Sequence, residues 1–143
     1  MKIRIKRIDT SLPLPAYKTK GAAGFDLYAR ETITIKPHEV RLIPLNIALE
    51  IPKNCWVLLA ARSSTHKSGI IAANGIGIGD SDFCGDNDEY HFAALNFTDK
   101  NVTIERGTRI AQMIIMQYQQ VEFEEVTTLN REDRGGFGST GIK

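Results

Sequence analysis

Ala61-Arg62-Ser63-Ser64-Thr65 has the residue types of an anion site. A guanidinium forks onto phosphate oxygens, while the hydroxyls and the free N–H groups of a helix start point the same way. The string reads equally well as a serine cap beside a solvated arginine. Asn74-Gly75-Ile76-Gly77-Ile78-Gly79-Asp80-Ser81-Asp82-Phe83 offers a different chemistry. Glycine at alternate positions bares one face of a strand, so a flat ligand can lie against the backbone, and Asp80 follows as a carboxylate. No helix follows this run, which excludes a dinucleotide fingerprint; a glycine-rich hairpin with a solvated acidic tip is the plainer account. Asp26, inside Ala23-Gly24-Phe25-Asp26-Leu27-Tyr28-Ala29, is costly to bury unless paired, and a turn or a buried arginine is the simplest partner. Gln112, in Arg109-Ile110-Ala111-Gln112-Met113-Ile114, falls on one strand face with Ile110 and Ile114, opposite Arg109, Ala111 and Met113. Its amide is either a satisfied core group or a substrate contact. Arg134-Gly135-Gly136-Phe137-Gly138-Ser139-Thr140-Gly141 has the make-up of a lid, with amides and hydroxyls for phosphates and one ring for a planar base. For a tail in general, the commoner account of such a make-up is a disordered end.

The elements that must position these groups are strands. Period-two patterning marks Ile3 to Ile8 and Ile33 to Ile35, and apolar runs cover Val40 to Ile51, Phe92 to Phe97, Val102 to Glu105, Ile110 to Tyr118 and Val121 to Val126. Cys55 to Ala60 is continuous enough to be a strand buried on both faces. Turn residues separate the runs, and Ser63 to Ser68 before Gly69 is the one helix candidate, a turn or two long. The sum is an all-β barrel or sandwich. The domain spans residues 1–129, with a polar and then glycine-rich tail over 130–143.

With 143 residues the chain suits one domain, and 18 basic against 17 acidic side chains leave a charge of +1. That balance argues against a nucleic-acid coat, although it leaves room for one phosphate pocket. No apolar run is long enough for a membrane helix, and the N-terminal segment alternates where a signal peptide would be continuously apolar. A cytoplasmic chain is therefore expected. Cys55 and Cys84 are too few for a disulfide framework or a four-ligand zinc site and read as free thiols.

Taken together and in order, Ala-Gly-Phe-Asp-Leu-Tyr-Ala, Arg-Ser-Ser, Gly-Ile-Gly-Asp-Ser-Asp-Phe, Arg-Ile-Ala-Gln-Met and Arg-Gly-Gly-Phe-Gly-Ser-Thr-Gly resemble the five motifs of the trimeric dUTPase family, from Ala23 to Gly141. The resemblance implies a jelly-roll-like β barrel with one very short helix. It implies a homotrimer whose active sites are shared between subunits, and a tail that closes over the ligand. It also implies hydrolysis of dUTP to dUMP and pyrophosphate with Mg2+ bound through the triphosphate, which limits uracil incorporation into DNA and supplies dUMP for thymidylate synthesis.

By resemblance, Asp80 is the general base, and Arg62, Ser63 and Ser64 hold phosphates. Gln112 contacts phosphate or water, and Asp26 orients water on the metal without ligating it directly. Asn74 and the backbone of Gly77, Ile78 and Gly79 read the uracil. Phe137 stacks on it, beside Gly138, while Ser139 and Thr140 meet the outer phosphates.

Three departures stand out. Phe83 replaces the family's usual tyrosine under the deoxyribose. Asp86-Asn87-Asp88-Glu89 lengthens a hairpin. Glu132 occupies the usual place of the tail arginine, a role that passes to Arg134, with Arg131 as the alternative. Two other functions are weighed. A dCTP deaminase would carry a glutamate about three residues before an asparagine, and counting back from Asn96 gives Ala93. A nucleotide-sensing regulatory protein would have no need of Asp80 and a complete tail.

Overall fold

A computed structural model describes residues 1–136 and residue 139. Phe137, Gly138 and Thr140 lie outside the described residues. The described chain is all-β, as expected. Its strands are β1 (Arg4–Arg7), β2 (Phe25–Tyr28), β3 (Ile33–Ile35), β4 (Val40–Pro44), β5 (Ile47–Glu50) and β6 (Cys55–Ala61), followed by β7 (Ile70–Ala72), β8 (Gly77–Gly79), β9 (His91–Asn96), β10 (Val102–Ile104) and β11 (Arg109–Gln117). A single 3-10 turn, Thr65–Ser68, lies between β6 and β7 and ends at Gly69 in the left-handed region (φ 80°). Ser64 stands at its N-cap, but its side chain makes no capping bond.

All pairings are antiparallel. A four-stranded sheet in the order β2-β11-β6-β8 carries the site, a three-stranded sheet β4-β9-β7 stands apart from it, and the pairs β1-β5 and β3-β10 complete the barrel. Leu27, Ile35, Ile43, Ile47, Val57 and Met113 are fully buried between them.

Four expectations change. The run from Val40 to Ile51 is two strands, because Asn46 takes a left-handed conformation (φ 69°) and breaks it. That turn is held by Asn46 side-chain bonds to both backbone groups of Asp9, at 2.6 and 3.0 Å. β6 is buried on one face only: Cys55, Val57 and Leu59 point inward while Trp56 and Leu58 are half-exposed. Val121 to Val126 forms no strand, since nothing within the described chain pairs with it, and Phe123 is 95% exposed. On β11, a bulge between Arg109 and Ala111 overturns the simple alternation. It sends Ile110 into the core with Ala111 and Met113, and it turns Arg109 to the outer face with Gln112.

Candidate active site

The bulge assembles the first half of the site. Asp26 on β2 pairs with Gln112 on β11, so both project from the same outer face of the sheet. Arg109 joins that face and places Nη1 2.9 Å from Asp26 Oδ2. Arg62 leaves the end of β6 next to the Ala61–Ala111 pair and donates from Nε to Asp26 Oδ1 at 3.0 Å and from Nη1 to the Arg109 carbonyl at 3.1 Å. The Asp26 carboxylate is 12% exposed, so its charge is acceptable there only because two guanidiniums meet it. The paired-arginine reading of Asp26 holds, and Arg109 is a member of the corner that strand alternation alone missed. Gln112 is satisfied as well, donating Nε2 to the Ala61 carbonyl at 3.0 Å. Gly24 matters here, because a Cβ would come within 3.4 Å of the Gln112 amide oxygen and 3.2 Å of the Met113 carbonyl. Ser63 is exposed and Ser64 partly so beside this corner. Thr65 locks the turn by accepting from the Arg62 amide at 2.9 Å and donating to the Ile110 carbonyl at 2.7 Å.

The second half is a cavity of about 360 Å3 at the free edge of β8. Asn74, Gly77, Ile78, Gly79, Asp80 and Phe83 all line it, as the glycine pattern predicts. Its other wall, Glu89, Tyr90 and His91, lay hidden behind an acidic stretch that reads only as a lengthened hairpin. The legible signal was the Tyr-His-Phe alternation that starts β9. That loop is anchored. Glu89 receives both Nε and Nη2 of Arg30, at 2.8 and 3.0 Å, and the Asn46 amide at 2.8 Å. Asp88 folds back onto the Gly85 amide at 2.6 Å. Burial and the nearby carboxylates of Asp80 and Asp88, with Cys84, push the Tyr90 phenol up to about 12. Phe83, 38% exposed, meets the Tyr90 ring edge-on at 5.2 Å.

None of Asp26, Arg62, Ser63, Ser64 or Gln112 lines this cavity. A half-exposed apolar field separates the two halves on the outer face of the sheet: Leu58 pairs with both Ile114 and Ile78, and Trp56 with Met116. Arg134 is exposed, and Ser139 is the one tail hydroxyl among the described residues. Cys55 is buried and Cys84 exposed, both as free thiols. No helix of the described residues is long and apolar enough to cross a membrane.

A barrel with a guanidinium corner for anions and a backbone-walled slot for a planar group defines a nucleotide-handling β protein. The family described as dUTPase matches residues 10–141, and the chain belongs to it. The deoxyuridine 5'-triphosphate nucleotidohydrolase of Caldanaerobacter subterraneus subsp. tengcongensis is 43% identical over 148 residues, covering 98% of this chain and 97% of that one. The protein of the same name from Orientia tsutsugamushi (strain Boryong) is 40% identical over the whole of both chains. Among solved structures, a dUTPase from Streptococcus mutans superimposes with a TM-score of 0.76 at 27% identity, over 83% of this chain and 98% of the other.

Proposed function

We propose that this chain hydrolyses dUTP to dUMP and pyrophosphate, as the names of its relatives describe for them. The observation that carries the reading is Asp80 on the rim of the β8 cavity, where the strand ends and a base-sized slot begins. The backbone of Gly77 to Gly79 and Asn74 read the uracil edge, and the Phe83 ring lies under the deoxyribose. Arg62, already committed to Asp26 through Nε and to the Arg109 carbonyl through Nη1, turns its remaining N–H groups to phosphate, with Ser63, Ser64 and Gln112 beside it. Asp80 takes the proton from water as the water oxygen bonds the α-phosphorus and pyrophosphate departs.

Among the described residues no group of three or more His, Cys, Asp and Glu could hold a metal ion. That donor set fits Mg2+ carried on the triphosphate, because Mg2+ keeps phosphate and water ligands. Asp26 would meet those waters with the lone pairs its arginines leave free. The ion, when bound, would neutralise charge on the phosphates.

The active unit is a homotrimer. Its support is the apolar outer face between the two half-sites, together with Val121, Phe123 and Leu129, which stay exposed among the described residues of one chain. The segment over 130–143, with Arg134, Phe137, Gly138, Ser139 and Thr140, closes the completed site. The enzyme works in the cytoplasm, lowering dUTP available to DNA synthesis and supplying dUMP for thymidylate. Pyrophosphate release from dUTP, dCTP, dTTP and UTP, each with and without Mg2+, tests the reading. Preference for any nucleotide over dUTP would overturn it.

A further inference from the structure

The Tyr90 hydroxyl is the one buried side-chain oxygen or nitrogen without a hydrogen-bond partner among the described residues. The residue is 6% exposed, so water does not reach it freely, and an unmade bond at such a depth is costly. Its placement is fixed on every side. The Tyr90 amide donates to the Ile47 carbonyl at 3.0 Å, its carbonyl accepts from Leu45 at 2.9 Å, and the preceding Glu89 is clamped by Arg30. The hydroxyl lies directly beneath Gly79, where a Cβ would come within 2.7 Å of it. Asp80 is the next residue along the chain. The turn that follows, closed by the Phe83 amide on the Asp80 carbonyl at 3.3 Å, lays the Phe83 ring across the Tyr90 ring.

Two carboxylates and a thiol act on this phenol, and all three oppose loss of its proton. Burial acts on it most, followed by the charges of Asp80 and Asp88 and then Cys84. Of the other titratable groups lining the cavity, Glu89 is committed to Arg30 and the His91 ring nitrogen Nδ1 to the Glu89 carbonyl at 2.8 Å. Asp88 is already bonded to the Gly85 amide. Of the carboxylates beside the phenol, Asp80 is the one without a bond within the described residues, and the hydroxyl lies beneath Gly79, the residue before it.

We infer that Tyr90 is a positioning residue for Asp80: its buried hydroxyl donates to the Asp80 carboxylate, directly or through one water, when substrate settles the 80–83 turn. The bond holds the carboxylate toward the attacking water and keeps it ionised, because a donor to the charged form favours that form. The inference rests on the proposed role of Asp80. Tyr90 becomes a determinant of rate rather than of ring packing alone.

The test is Tyr90→Phe, which keeps the ring and removes only the oxygen. Wild type and Asp80→Asn are assayed first, and an inactive wild type would refute the proposed function before this inference is reached. With the wild type active, kcat of Tyr90→Phe falls by about tenfold while KM stays within about twofold. The acid limb of its kcat profile moves to higher pH by roughly half a unit or more, since Asp80 loses a donor and becomes easier to protonate. The thermal midpoint does not fall, because a buried oxygen without a partner has been removed. An unchanged kcat and acid limb would overturn the inference. So would a fall in kcat with the acid limb unmoved, or one matched by loss of thermal stability, either of which marks a packing role. Trimer assembly is read on the same samples, and dissociation of the variant would count as a structural effect against the inference.

Discussion

The guanidinium corner and the β8 cavity differ in how complete they are before any ligand arrives. In the corner, the Asp26 carboxylate, the Gln112 amide and the Arg62 Nε all have partners, drawn from β2, β6 and β11. The cavity is built the other way. One of its walls is the bare backbone of β8, its aromatic Phe83 is partly exposed, and its buried phenol has no bond among the described residues. The corner is a preformed electrostatic fixture, of the kind that costs no reorganisation when charge arrives. The cavity is finished by what enters it. Changes in the corner should therefore cost stability and activity together, whereas changes at Asp80 and Phe83 in the cavity should cost activity alone.

The largest effect expected is on Asp80. Asp80→Asn preserves shape and removes the proton acceptor, so turnover should fall by at least about 10² while an unhydrolysable dUTP analogue still binds and the thermal midpoint stays put. Steady-state rates with calorimetric binding measure both. Truncation after Asp133 comes next. It should remove most turnover and leave unfolding and assembly nearly unchanged, as followed on one sample by rate assay, thermal scan and light scattering.

Asp26→Ala is the converse case. It strands two partly buried guanidiniums, and a loss of roughly 1–3 kcal/mol is expected, below the full figure for a buried pair because Arg109 is solvent-accessible. Denaturant titration reads it, and an unchanged midpoint would erase the contrast drawn between the halves. Smaller still, Phe83→Ala should leave stability close to wild type and narrow the preference for dUTP over UTP, because a ring face excludes a 2′-hydroxyl without a phenol of its own. Competition kinetics with the two nucleotides decide it.

The smallest effect is a pH effect. The folded-state value of Tyr90 is raised from about 10 to about 12, so the native state holds its proton more tightly than the unfolded chain does. That contribution is fully present below pH 10 and is lost as pH rises toward 12. Unfolding curves in that alkaline window should weaken for the wild type and less so for Tyr90→Phe.

Much of this was legible in the residues. Alternate glycines from Gly75 to Gly79 located the bare strand and the cavity beside it, since only a missing side chain lets a ligand reach backbone. Asp26 within apolar neighbours called for a partner, a turn or a buried arginine, because a lone carboxylate is not tolerated there. The identity of Arg109 as that second cation was not legible, for a bulge shifts facing by one residue and leaves no local sequence mark. Tyr90 was hidden for a different reason. Asp86 to Glu89 reads only as a lengthened hairpin until Arg30, far away in sequence, is known to clamp Glu89. The strand expected at Val121 to Val126 has the right pattern and no partner, and pairing is not a property of one segment alone.

The close fit of Gly79 over Tyr90 also constrains how this sequence can drift. A side chain at position 79 and a tyrosine at position 90 claim the same volume, since a Cβ there would stand 2.6 Å from the ring. Neither position is free to vary by itself. A lineage that acquires a branched residue at 79 must first shed the ring at 90, passing through a void under the strand, and it gives up the hydroxyl in the same step. The two sites are expected to covary as small-with-large in either order, and a chimera that combines the large residue at both would fail in its core before any substrate is met.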